Sequence, residues 1–408
     1  MMNLTRKEFL KASGGLGMLS LMPFGEWNKA IPGPHTSFAS QPNVTIRSID
    51  PFLMPGHAAL FVRVTSSEGV IGWGEANRNY APIVLGMINE LKGRVEGKSV
   101  WDTEYLWNLM FFKEVDAGQN GLLAGAIAGI DHALWDLKGK LLGQPVWSLL
   151  GGPYREEIKV YGSCHVDLGL PNPGLQAAHR AEELVEKGYD AVKIKMQARE
   201  LTPSLTPGVS PGLTREVRQA VGDQVTVFFD ANNNYPVNKA IREGKTLYEK
   251  YNIASFEEPV DAHNLKGLAQ VADALDIPVA AGGHAFNRWQ FKDLILLGKA
   301  DRIHPGPCRA GGITEATKIA TVASAFDVPV MCRHEGTELA AAATFHFAAS
   351  IHNAGDFQEY DLAGRSKSIL QRYFKDQLAY QAGQVTLPNG PGLGLELNES
   401  QIERDKIN

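Results

Sequence analysis

Two lysines one residue apart, Lys193 and Lys195, stand in the run Ala191-Val192-Lys193-Ile194-Lys195-Met196, whose other members are all apolar. Along a strand alternate side chains share a face, so both amines point the same way and each disfavours the other's charge, which makes a neutral amine base the expectation. Two ammonium groups among such neighbours are costly to bury without a purpose. Further along, the run Val225 to Phe229 stops at Asp230, and Ala254-Ser255-Phe256 stops at Glu257. A lone terminal Asp is commonly a helix cap or turn former. A carboxylate at the end of each of two successive runs is instead a donor pair for a hard cation such as Mg2+, which takes oxygen ligands. His334 follows the run Val328 to Cys332, and Glu359 follows Phe357 and Gln358. A substrate lying between the lysines and His334, beside a divalent cation, could be deprotonated from either face.

Such parts work only if the chain brings them to one place. Eight short β-rich runs begin at Val160, Ala191, Thr226, Ala254, Val279, Arg302, Val330 and Phe357. Helical spacing separates nearly all of them, over Gly174 to Lys187, Pro236 to Lys250, Asn264 to Leu275, Asn287 to Leu297, Gly312 to Phe326 and Thr337 to Ser350. Alternation of this kind builds parallel βαβ units, and eight repeats predict a closed barrel. A doubly wound open sheet is the runner-up, yet Val160 to Val166 is not followed by the glycine-rich phosphate turn of that fold. In a parallel barrel the C-terminal ends of the strands form the reactive face, which is where the two acids and His334 fall, with His334 across the barrel from Lys195. Leu201 to Leu213, rich in Pro and Gly, reads as a surface loop between the second strand and its helix.

Ahead of the barrel, Asn43 to Ile71 alternates like two or three antiparallel strands. Helical spacing follows over Ala81 to Val95, Thr103 to Glu114 and Gly121 to Leu142, the last stopped by Gly143 and Pro145. The expected organisation is residues 1–40 as export signal or disordered, 41–152 as an N-terminal α+β capping domain, 153–362 as the barrel, and 363–408 as a segment packing back on the capping domain. The fold class is α/β, a (β/α)7-8 TIM-like barrel behind its cap.

Composition closes off other classes. A chain of 408 residues, 44% hydrophobic and 21% charged, is globular and long enough for a barrel with an appendage. Forty basic residues against forty-five acidic give a net charge of -5, no surplus with which to hold a phosphate backbone or an anionic bilayer. Nucleic acid is therefore excluded as the expected partner. Cys164, Cys308 and Cys332 include no close pair and read as small buried residues. At the N-terminus Thr5 to Lys11 is basic, and Ala12 to Met22 is apolar or small and too short to span a bilayer. The segment resembles a twin-arginine export signal with Lys7 in the second arginine position and Ser37-Phe38-Ala39 as a cleavage site. The expected location is periplasmic or otherwise exported, with a cytoplasmic protein bearing a frayed N-terminus as the alternative, and no membrane contact once mature.

The strand-end pattern, together with Gly72-Trp73-Gly74-Glu75 and Gly311-Gly312-Ile313-Thr314-Glu315-Ala316, resembles the enolase superfamily in its mandelate racemase and muconate lactonizing enzyme group, over roughly Val44 to Tyr360. The resemblance implies proton removal α to a carboxylate with Mg2+ stabilising the enediolate. It implies Lys195 as base, Lys193 as its electrostatic partner, Asp230 and Glu257 as metal ligands, His334 as the acid or base of the opposite face, and Glu359 as a partner of the substrate carboxylate. Loops around His57 and Trp73 to Tyr80 would close over the substrate, and a homo-oligomer is the expected assembly.

Two positions depart from that pattern. Gly283 stands where a third metal-binding acid is expected after Ile277 to Gly282, leaving His284, one place along, or a substrate oxygen to supply the missing ligand. Gly306, after His304 and Pro305, stands where an Asp would pair with His334, leaving Glu335 or His304 to orient that ring. An imidazole ligand shifts preference from Mg2+ toward Mn2+ or another divalent transition metal. A weakened His334 favours one-base β-elimination of water from a sugar acid or hydroxy acid over two-base racemisation or epimerisation. The alternatives are a catalytically silent barrel that binds a small acidic ligand, and a transition-metal variant using His284 with His304 and His334.

Overall fold

The computed structural model describes residues 43–169, 171–196, 208–360 and 371–407. The export signal expected over 1–40 lies outside the described residues. None of the described helices is long and apolar enough to cross a membrane.

Three antiparallel strands, β1 (Ile46–Leu53), β2 (Leu60–Ser66) and β3 (Ile71–Glu75), form the first sheet in that order. Helices α1 (Ala81–Val95), α2 (Thr103–Phe112) and α3 (Leu122–Leu142) cover it, and a short helix, α4 (Val146–Leu149), leads out. The apolar faces of these elements make their own core, from Val44 and Ile46 through Leu106 and Trp107 to Leu134 and Leu137. The closeness of β3 to α3 explains Gly72 and Gly74. A methyl group at Gly72 would lie 2.2 Å from the Ala133 carbonyl oxygen, and one at Gly74 2.2 Å from that of Gly129. Neither helix backbone atom can step aside, so Gly74→Ala is expected to cost about 3 kcal/mol, the upper end of overpacking. A urea titration checks it: the midpoint should fall with the slope unchanged.

The barrel strands are β4 (Glu157–Val166), β5 (Ala191–Met196), β6 (Thr226–Asp230), β7 (Ser255–Glu257), β8 (Val279–Ala281) and β9 (Arg302–Ile303), each paired in parallel with the next. Val330 bridges Ile303 as the seventh strand, and β10 (Gln358–Glu359) pairs in parallel with β4 to close the ring. Between them run α5 (Pro173–Glu186), α6 (Val209–Val221), α7 (Val237–Tyr251), α8 (Leu265–Ala274), α9 (Arg288–Leu296), α10 (Ile313–Ser324) and α11 (Glu338–Ser350). Strand period explains the two-sided burial. Val192, Ile194 and Met196 join the layer between strands and helices. Ala191 joins Tyr161, Phe228 and Met331 inside the ring.

Leu201 to Leu213, expected as a surface loop, is not loop throughout, because α6 begins at Val209; the part over 201–207 lies outside the described residues. Pro211 had suggested loop, but in the first helical turn an amide has no intrahelical partner to lose, so proline is tolerated there. Cys164, Cys308 and Cys332 are all free and buried.

The C-terminal segment contacts both parts. Strand β11 (Tyr380–Gln381) pairs antiparallel with β12 (Gln384–Thr386), which extends the barrel sheet antiparallel to β4. The Leu393 amide donates to Asp136 of α3 at 2.8 Å, and α12 (Glu399–Asp405) leads to Ile407, whose amide donates to the Leu53 carbonyl at 2.9 Å.

Candidate active site

Register places the polar strand ends side by side. Lys195 of β5 is level with Asp230 of β6, and Asp230 with Glu257 of β7. Lys195 Nζ lies 3.8 Å from Asp230 Oδ2. One layer deeper, Lys193 Nζ donates to Glu257 Oε2 at 2.9 Å, approaches Glu359 Oε1 at 3.6 Å, and sits 3.2 Å from Tyr161 Oη above that ring. The inward period of β5 thus delivers both lysines to the barrel mouth.

Lys193 departs from the expected neutral amine. Lys193 is 1% exposed; burial disfavours its charge, but Glu257 and Glu359 outweigh that and hold its pKa well above the ordinary lysine value. It is a buried cation. Glu359 came from the far end of the chain and reaches Lys193 only because β10 closes the ring beside β4. Against burial, Lys193, Lys195 and Arg333 hold the Glu359 carboxyl far below the usual carboxylate range. Glu257 is likewise held well below its ordinary value against burial, by His304 and Lys193. Asp230 goes the other way, pushed up to about 8 by burial and by Glu257, with Lys195 only partly offsetting them.

The histidines take places the strand ends alone did not indicate. His304 Nδ1 lies 3.0 Å from Glu257 Oε1. Both oxygens of Glu335 bind guanidinium groups: Arg309 Nη2 and Arg333 Nη2 at 2.8 Å from Oε1, and Arg309 Nε at 3.2 Å from Oε2. The His334 backbone amide donates to Glu359 Oε2 at 3.3 Å, its Nε2 lies 3.4 Å from the Thr337 carbonyl, and its ring meets Tyr360 edge-on. Strand order sets it on the flank of the barrel away from Lys195. His284 Nδ1 meets Glu258 Oε1 at 2.8 Å and Asn233 Nδ2 at 3.3 Å. Beside that pair a cavity of about 440 Å3 opens, lined by Asn233, Glu258, Asp261, His263, Gly282 and His284 among others.

The capping domain braces this rim. Glu75, at the end of β3, accepts from the Thr337 amide at 3.0 Å, the Thr337 hydroxyl at 2.6 Å and the Ala340 amide at 3.2 Å. The two amides are otherwise unpaired backbone donors at the start of α11, so the cap holds the segment that carries His334. Trp73 is buried, its indole donating to Glu399 at 3.3 Å, and does not form part of a closing loop. Tyr80 is exposed.

Among the described residues no three His, Cys, Asp or Glu side chains are grouped to hold a metal ion. Of the residues expected as ligands, Asp230 and Glu257 stand level on neighbouring strands, while His284 Nδ1 meets Glu258. Asp230 already accepts from the Asn232 amide at 2.8 Å and from Asn232 Nδ2 at 3.0 Å on both oxygens. Glu257 is flanked by Lys193 on one oxygen and His304 on the other. Arg333, Arg309, Ser163 and Tyr161 were not singled out from sequence. Ser163, whose hydroxyl donates to Glu359 at 2.5 Å, and Tyr161 carry no strand-end signal, but Arg333 directly precedes His334 and could have been weighed with it.

Comparison with known proteins follows the same lines. The family model for the mandelate racemase / muconate lactonizing enzyme N-terminal domain matches residues 54–151, and that for the enolase C-terminal domain-like family matches 176–401. A protein of Agrobacterium fabrum named D-galactarolactone cycloisomerase is 32% identical over 357 residues, 85% of this chain and 90% of its own. One of Xanthomonas oryzae pv. oryzae named D-galactonate dehydratase is 33% identical over 365 residues, 86% and 93%. The crystal structure of a mandelate racemase/muconate lactonizing protein from Paracoccus denitrificans, complexed with magnesium, superposes with a TM-score of 0.82 at 30% identity, covering 89% of this chain and 98% of that one.

Proposed function

Given that this chain belongs to the mandelate racemase and muconate lactonizing enzyme group of the enolase superfamily, we propose that it is a lyase that removes water from a sugar acid after abstracting the proton α to the carboxylate. The observation that carries this is the row Lys195, Asp230, Glu257 on three neighbouring strand ends, with Lys193 buried beneath it. Relatives named for dehydration of D-galactonate and for cycloisomerisation of a galactarolactone support the substrate class.

In this reading the Cα–H bond breaks and its proton passes to the Lys195 amine, while the electron pair moves into the carboxylate as an enediolate. That pair then forms a carbon–carbon double bond as the β-hydroxyl leaves, and His334 gives that hydroxyl a proton so that it departs as water. The enol left behind becomes a 2-keto-3-deoxy acid. Lys193 supplies a permanent positive charge beside the enediolate, where a water-poor site makes it effective. Glu359, already bonded to Ser163 and to the His334 amide, positions His334 more than it touches the substrate.

Magnesium, which the Paracoccus neighbour carries, is the family's expected cofactor. The residues of this chain do not fit that ion in the three-acid manner. Gly283 offers no donor, and the two remaining acids are already engaged by Asn232, Lys193 and His304.

Proton NMR in D2O over a panel of aldonic and aldaric acids tests the proposal. Expected is loss of the α-proton signal and appearance of a 2-keto-3-deoxy product for at least one acid. Absence of both across the panel, with and without added Mg2+ or Mn2+, would favour a barrel that binds a small acid without turning it over, a reading whose support is the pair Gly283 and Gly306.

A further inference from the structure

The cation opposite the lysines comes from the end of the seventh strand. The Arg333 side chain runs past the two glycines that end β8 and β9. A methyl group at Gly306 would lie 3.0 Å from Arg333 Cγ, and one at Gly283 would lie 3.1 Å from Arg333 Nη1 and 2.8 Å from Glu258 Oε1. Neither glycine is among those with positive φ, so backbone conformation does not require glycine at either place. What the missing side chains provide is room, and the guanidinium fills it.

That group is held firmly. Nη1 donates to the Gly283 carbonyl at 2.7 Å, and Nη2 meets Glu335 Oε1 at 2.8 Å. Glu335 is shared with Arg309, so one carboxylate stands between two guanidiniums and the trio keeps a net positive charge. Arg333 remains 11% exposed along its side chain, and its charge is felt by Glu359, Glu258 and Glu257. A divalent ion added at Asp230 and Glu257 would meet Lys193, Lys195 and Arg333 as like charges while finding two acids already engaged.

We propose that Arg333 occupies the place of a third metal-binding carboxylate and serves as a built-in counter-charge, so that this site draws in a substrate carboxylate and sustains its enediolate without a bound divalent cation. The second half rests on the proton-abstraction reading above; the first half rests on geometry alone. Arginine suits the role because it stays protonated and presents a planar fork that matches a carboxylate.

Isothermal titration of the full chain, stripped with EDTA and returned to chelator-free buffer, with MgCl2 and separately with MnCl2 is the first test. The wild type is expected to show no binding tighter than about millimolar, and Gly283→Glu/Arg333→Ala, which restores an acid and frees its space, to gain about tenfold or more in affinity. Micromolar binding by the wild type overturns the proposal, and that measurement decides alone if the double variant does not fold. The second test is deuterium exchange in the presence of EDTA. Exchange should persist in the wild type, fall about 100-fold in Arg333→Met with a raised KM, and partly recover in Arg333→Lys. Exchange that stops with EDTA and returns with Mg2+ also overturns the proposal. If no acid exchanges under any condition while the titrations come out as expected, it is the proton-abstraction reading that fails, and the replacement of a metal ligand by Arg333 stands.

Discussion

Lys195→Met should abolish α-proton exchange, lowering its rate by about 10²–10⁴-fold, the range over which a positioned acid or base contributes. Methionine keeps the length and apolar stem of lysine and removes only the amine. The fold should survive, for a reason specific to this site. Lys195 touches Asp230 at 3.8 Å and keeps 13% of its side chain exposed, so it is not a buried ion whose loss strands a partner. Asp230, already pushed up to about 8 by burial and Glu257, can respond by holding its proton at neutral pH. Rates of exchange in D2O and thermal melts on the same samples check both halves. A variant that exchanges at more than a tenth of the wild-type rate would remove Lys195 as the base, and His334→Asn, assayed alongside, would then show whether the proton leaves from the other face.

Most of the architecture could be read from the chain because barrel strands repeat one local pattern, and each run that starts apolar and ends polar reports its own position. Asp230 and Glu257 were legible in this way: each closes an apolar strand, and register then sets them level. What could not be read was anything that depends on which strand ends meet across the ring. Lys193 and Lys195 looked like mutually repelling amines when only β5 was considered. In the structure Glu257 from β7 and Glu359 from β10 reach Lys193 and reverse the balance, leaving it charged. His284 next to the vacant ligand position looked like a replacement, yet the loop turns its ring onto Glu258. Arg333 carries no strand-end signal of its own; the space left by Gly283 and Gly306 on two other strand ends is what lets its side chain lie inside.

Lys193→Met is expected to produce the largest loss of stability, about 3–5 kcal/mol, the cost of leaving buried partners of an ion pair without their counter-charge. Glu257 at 2.9 Å and Glu359 at 3.6 Å share this one ammonium, and Tyr161 adds a third contact at 3.2 Å. With the lysine gone, both acids face burial with less compensation, and their folded-state pKa values should rise, His304 and Lys195 still favouring the charge of Glu257, and Lys195 and Arg333 that of Glu359. In the wild type their contribution is present above the unfolded carboxylate pKa and is lost as pH falls through the lower folded values. In the variant that contribution is smaller, so the penalty should be full at neutral pH and shrink as pH falls through the unfolded carboxylate range. Adding Glu257→Gln to Lys193→Met should recover part of the loss at pH 7, because one of the stranded charges is removed along with its partner, and a double-variant cycle measures that coupling. Urea unfolding of the wild type, both single variants and the double variant at pH 4 and pH 7.5 is the measurement; equal destabilisation at both values would mean that the effect is lost packing of the lysine stem and not an uncompensated charge.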